Sequence, residues 1–206
     1  MAINEVVDST GARGDWICTY TGRSFYPLSP SACDVVIEDV AHSLSNQCRF
    51  AGHCRSFYSV AEHCVRASYA VVATGTELKQ VATRLVALLH DASEAYLVDL
   101  PRPIKKMTEM AAYSKAETKC WLAIVEALIP RGAHWDPQAI KSIDNVMLAT
   151  EKRDLMPARS KEWGPLPSPL SGIISPWTPA EAKEAFLTRY NELHVRLTTL
   201  LENKHE

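Results

Sequence analysis

His63, His90, Asp91 and Asp144 are the residues of this chain whose types and settings could hold a divalent cation. His90-Asp91 follows the apolar stretch Leu85-Val-Ala-Leu-Leu89. A carboxylate buried there is costly unless it is paired or bound to a cation. Asp144 is flanked at i−4 and i+4 by Ile140 and Leu148, which puts it on an apolar helix face. His63 shares a face with Val60 and Ala67. Two imidazoles and two carboxylates form a mixed N and O set that suits Mn, Co, Fe, Ni or Zn better than Ca. Glu94 lies one helical turn past His90 and faces the same site. Asp99 and Lys105 follow on a proline-broken loop that can fold back over it. An acid beside a cation-activated water is what general acid/base hydrolysis needs. Ordinary readings stand beside this one. A lone helical histidine is more often a packed side chain, Asp144 can pair with Lys141 or Lys152, and a His-Asp dipeptide arises often by chance.

The elements that would carry these residues are mostly helices. Ser59-Val-Ala-Glu62 fits a capping box and opens a helix running to about Ala73. Val81, Leu85, Leu88, Ala92 and Tyr96 recur at helical spacing and predict one long helix over 77–96. Asp99-Leu-Pro-Arg-Pro103 ends it. A further helix is expected over 108–129, stopped by Pro130-Arg-Gly132. Another follows the Asp136-Pro137 cap to about Leu155. Residues 157–179 form a proline-rich loop, a candidate lid. Thr178-Pro-Ala-Glu181 is a second capping box and opens a C-terminal helix over 178–202. Tyr20–Tyr26 reads as a short hairpin within an N-terminal extension over 1–40. Val35–Val40 reads as a strand or a helix start, which periodicity cannot separate over six residues. The expected fold is all-α, a bundle of about five to seven helices forming one domain over 1–206.

Composition agrees with one globular domain. The chain has 206 residues, 47% of them hydrophobic and 22% charged, enough to bury a sizeable core. A formal net charge of −2 gives no electrostatic reason to expect nucleic acid or an anionic membrane as partner. A nucleotide-sized anion needs only a local cationic site. No window approaches 18 uninterrupted apolar residues, so no membrane helix is expected. Met1–Thr10 carries Glu5 and Asp8 and no apolar run, unlike a signal peptide. The six cysteines form no C-x-x-C pair and read as free thiols of a cytoplasmic protein.

Four blocks in order, Ser45–His53, Tyr58–His63, His90–Lys105 and Ile143–Asp154, resemble the HD-domain phosphohydrolase superfamily. The likeness is closest to its 5′-deoxynucleotidase branch, with the phage dATP triphosphohydrolases and prophage relatives. It covers about 25–105 and 136–158 and is far more specific than His-Asp alone. The resemblance implies an HD helical bundle whose metal ligands are His63, His90, Asp91 and Asp144. It places Glu94 near the attacking water and leaving group, and Asp99 at the sugar and the water. It assigns phosphate contacts to Arg49, fourteen residues before His63, and to Lys105. Phe50 stands where that branch usually has a sugar-packing Trp, which keeps an aromatic face and loses an indole N–H donor. Bland readings of the outer residues stay open. Arg49 can be a surface cation, Phe50 plain core, and either Lys105 or Lys106 the solvated one.

The function this implies is a metal-dependent hydrolase of phosphoester bonds. It would remove phosphate or triphosphate from deoxynucleotides, with a divalent ion (Co, Mn, Zn, Ni, Fe or Mg) as cofactor. A homo-oligomer is expected by resemblance. The alternatives are a phosphodiesterase for a cyclic nucleotide or alarmone, and a non-catalytic nucleotide-binding module. His42, His53, His134, His194 and His205 have no place in the pattern. Trp16, Trp163 and Trp177 could close over a base or simply pack.

Overall fold

The computed structural model describes residues 13–158, 161 and 163–204. The readings made of Met1–Thr10 and of His205 fall outside these residues. The chain is mostly helical, with one two-stranded sheet. Strands β1 (Ile17–Cys18) and β2 (Ser24–Phe25) pair antiparallel, Ile17 opposite Phe25, so the expected hairpin forms with 19–23 as its turn. α1 (Ile37–Asn46) follows, which resolves the ambiguous Val35–Val40 stretch as a helix start.

α2 (Val60–Ala70) begins where Ser59 accepts from the Glu62 N–H. Only half of the expected capping box is present, because Glu62 turns its carboxylate to Arg66 and to the Trp177 N–H instead. α3 (Glu77–Leu89) is capped by Thr76. It stops short of the single 77–96 helix the periodicity predicts. After Leu89 the backbone tightens into three-residue turns (Ala92 N–H to Leu89 O, Glu94 N–H to Asp91 O), and α4 (Glu94–Leu97) is a separate short helix. His90 and Asp91 therefore sit at a helix end rather than inside a helix. α5 (Arg102–Lys105) uses the prolines as a start, an element the sequence reading treated as loop. α6 (Ala111–Leu128), α7 (Pro137–Leu155, capped by Asp136) and α8 (Pro179–Glu202, with the Thr178–Glu181 capping box complete) match expectation. Among the described residues no helix is long and apolar enough to cross a membrane. All six cysteines are free.

α8 packs against α1, α2 and α3. Phe186, Leu193 and Leu197 meet Leu44, Val65, Leu85, Leu88 and Leu89 in the main core. Each such fully buried side chain contributes about 1.5–3 kcal/mol of transfer free energy. A second, smaller cluster holds Ala67 and Val71 of α2, Ala87 of α3, and Ile143, Met147 and Leu155 of α7. That cluster locks α7 onto the α2–α3 pair, and so sets the position of every polar residue on the inner face of α7.

Candidate metal centre

The site lies where α2, the end of α3 and α7 meet. His63, on α2, is fully buried. His90 ends α3, Asp91 follows it, and Asp144 comes from the middle of α7. The Nε2 atoms of His63 and His90 lie 3.2 Å apart. Asp144 Oδ1 is 3.8 Å from His63 Nε2. Asp91 Oδ2 is 3.4 Å from His90 Nε2 and 3.7 Å from His63 Nε2. His63, His90 and Asp144 could thus hold a metal ion, their ligand atoms lying within 4.8 Å of one another. Asp144 is half-buried rather than sealed on the core face, and its other oxygen takes Lys141 Nζ at 2.8 Å.

The donor chemistry fits a cation. His90 Nδ1 is 2.8 Å from the Ala87 carbonyl, which can only accept, so Nδ1 carries the hydrogen. His63 Nδ1 donates to Glu151 Oε1 at 2.5 Å. With the Nδ1 positions occupied in this way, the two Nε2 atoms face each other. Two lone pairs facing each other repel unless a proton or metal cation lies between them. Cys64 also brings its sulfur near His90 and Asp91. Burial pushes that thiol well up in the metal-free protein.

The remaining expected residues divide. Arg49 is buried, with Nη1 3.3 Å from Asp91 Oδ2 and Nε 3.2 Å from Glu151 Oε2, and is not a surface cation. Burial opposes its charge, but Glu151 and Asp91 outweigh that and hold its pKa well above the usual value. Phe50 is half-buried beside it, its ring 5.4 Å from the guanidinium carbon and 5.6 Å from the Trp163 ring. Phe50 and Ala51 both have positive φ (56° and 51°), a costly conformation for non-glycine residues that concentrates at functional sites. Glu94 is buried with Oε2 unpartnered among protein atoms. Burial, then the charges of Asp91 and Asp99, push its carboxyl well above the ordinary range. Burial likewise raises Asp99. Lys105 does not join the cluster by contact, because it pairs with Glu117 of α6, though its charge still acts on Glu94 and Asp99. Lys106 is the solvated neighbour.

Two residues went unread in the sequence. Glu151 is fully buried between His63 and Arg49, seven positions after Asp144 and so on the same face of α7. Gln47 donates to the Glu94 carbonyl at 3.0 Å and accepts from the Asp99 N–H at 3.3 Å, tying the two acids together. The other histidines lie elsewhere. His42 stacks on Tyr20, His53 and His134 are exposed, and His194 is half-buried against Tyr190.

Fold and site together define a helical protein with a partly buried His/Asp cluster that could hold a metal ion. YfdR, an uncharacterized protein of Escherichia coli (strain K12), is 36% identical over 184 residues, spanning 86% of this chain and 95% of YfdR. The chain belongs to the same family as YfdR. RCAP_rcc00048, an uncharacterized protein of Rhodobacter capsulatus, is 29% identical over 198 residues, 90% of this chain and 97% of that protein. No protein-family model matches the chain.

Proposed function

We propose that this protein is a divalent-metal-dependent phosphohydrolase that releases phosphate or triphosphate from deoxynucleotides. The observation that carries the reading is the pair of facing Nε2 atoms, 3.2 Å apart and flanked by Asp91 and Asp144, beside the buried Arg49 and the buried Glu94, whose Oε2 has no partner among protein atoms. His63, His90, Asp91 and Asp144 would hold a divalent ion, which when bound would supply positive charge to a phosphoryl oxygen and acidify a water. Arg49, with donors left over after its two carboxylate contacts, binds the other phosphoryl oxygens as charge develops on them. Water attacks phosphorus, the bond to the 5′-oxygen breaks, and the proton the water gives up passes to solvent. Glu94, whose carboxyl burial pushes well above the ordinary range, hands a proton to that departing oxygen. Asp99, tethered to Glu94 through Gln47, orients the water and the sugar. Phe50 offers an aromatic face to the deoxyribose.

The test is hydrolysis of dNMP, dNTP, rNMP and rNTP panels by metal-stripped protein reloaded with Co²⁺, Mn²⁺ or Mg²⁺, beside Asp91→Ala. The expected result is deoxynucleoside with phosphate or triphosphate from wild type, and at least a hundredfold loss in the variant. Equal silence of wild type and variant with every metal overturns the reading. Turnover of cyclic nucleotides or alarmones alone moves the activity to the phosphodiesterase class.

A further inference from the structure

We infer that Glu151 is a positioning residue. It sets the His63 ring so that Nε2 faces the cation site, and with its second oxygen it holds Arg49 beside that site. The inference rests on the reading of His63 as a metal ligand and Arg49 as an anion binder. Glu151 Oε1 lies 2.5 Å from His63 Nδ1, Oε2 lies 3.2 Å from Arg49 Nε, and both the Glu151 and His63 side chains are fully buried. The guanidinium of Arg49, a permanent cation, meets one oxygen of this carboxyl group and the His63 ring nitrogen meets the other.

The geometry leaves His63 one useful orientation. Turning the ring over about its Cβ–Cγ axis would put a C–H against the carboxylate and another C–H toward His90, losing both interactions. An anion accepting from Nδ1 also fixes the tautomer with the bare lone pair on Nε2 and raises its basicity as a ligand. The same carboxylate takes Arg49 through Nε, the guanidinium nitrogen nearest the stem. That contact leaves the two terminal nitrogens to point past it, one of them toward Asp91 at 3.3 Å. One side chain thus couples the cation site to the group that would meet an anionic substrate. α7 supplies both Asp144 and, two turns on, Glu151, so the register of one helix sets ligand and positioner together.

The first test uses the unaltered protein. In ¹⁵N-histidine NMR of metal-stripped wild type at neutral pH, with His63 assigned from the spectrum of His63→Gln, the expected form has hydrogen on Nδ1 and none on Nε2. A free histidine side chain prefers the opposite tautomer, so hydrogen on Nε2 overturns the inference. The second test titrates Mn²⁺ and then inorganic phosphate into wild type, Glu151→Gln and Glu151→Asp by calorimetry. Glu151→Gln is expected to weaken Mn²⁺ binding about 10- to 100-fold, with Glu151→Asp intermediate. Phosphate binding should weaken with it. A purely structural role would lower the melting temperature and leave Mn²⁺ affinity of the folded protein at the wild-type value, and that result also overturns the inference. If Glu151→Gln does not fold, the tautomer of the wild type decides. A wild type that binds no divalent ion refutes the positioning role. One that binds Mn²⁺ but hydrolyses no nucleotide refutes the proposed function and leaves the role of Glu151 standing.

Discussion

Glu94 shows how far burial can remake a single residue. Its side chain is buried, one oxygen has no partner among protein atoms, and burial followed by the Asp91 and Asp99 charges holds the carboxyl well above its ordinary range. An acid with a raised native pKa keeps its proton in the folded state at pH values where the unfolded chain has released it. The native state then binds more protons than the unfolded state, and stability falls as pH rises from the ordinary glutamate range through the raised native value. Metal-free protein is therefore expected to lose stability over that window, and Glu94→Gln to flatten the loss and be the more stable form at its alkaline end. Urea denaturation of both proteins across pH checks this. Parallel curves would mean that Glu94 ionises normally. The clustering of His63, His90-Asp91 and Asp144 was legible from the sequence, because polar residue types stand at helical spacing among apolar ones. Glu151 was not. Between Thr150 and Lys152 it reads as an ordinary charged helix residue, and only contact with Arg49, 102 positions away in the chain, makes it a buried anion. The one available signal was its place two turns after Asp144.

At the scale of elements, caps and prolines were readable because they act locally. Asp136 opens α7 and Thr178 opens α8 as the sequence reading expects. The break after Leu89 was not readable. The apolar period continues through Ala92 and Tyr96, both buried, while the backbone between them shifts to tighter turns. The short α4 that results ends in Val98, at φ 60° and ψ 157°, a strained conformation for a β-branched residue. Tyr113 of α6 helps hold it, donating to the Val98 carbonyl at 2.8 Å. Such strain stores about 1–3 kcal/mol, and here it directs the next residue, Asp99, toward Gln47. Glycine adopts this backbone freely at an entropic cost of about 0.5–1 kcal/mol. Val98→Gly is thus expected to gain about 1 kcal/mol and raise the melting temperature by about 2–4 °C. It should also lower turnover several-fold by loosening Asp99. Thermal denaturation and steady-state rates on one preparation check both halves, and a lower melting temperature would show that Val98 is not strained.

For the whole molecule, the question is what the proline-rich loop after α7 does, since length and composition alone made it a candidate lid. Its distal half is tied down. Leu170 N–H donates to Thr150 Oγ1, Ile174 N–H to Asp154 Oδ2, and Trp177 N–H to Glu62 Oε2 at 2.8 Å. Glu62 is the decisive anchor. It is fully buried, sits next to His63 on α2, and takes Arg66 through Nε and Nη2. Arg66 in turn donates to the Ser175 carbonyl and lies 4.7 Å from the Trp177 ring. The proximal half brings Trp163 against Phe50, beside the candidate metal centre. The loop therefore connects the helix that carries His63 to the aromatic edge of the site. Glu62→Gln keeps the volume but must point an amide N–H at either Arg66 or the Trp177 N–H, leaving one buried donor without an acceptor. That mismatch is expected to cost on the order of 1–3 kcal/mol. It should also speed amide exchange across 170–177 well beyond the change seen in α3 and α8. Hydrogen exchange with mass spectrometry separates the outcomes. A rise confined to 170–177 and the start of α8 identifies Glu62 as the anchor of a locally opening segment. A uniform rise across the core would mean that the loop and the bundle open as one unit, and that it is no lid.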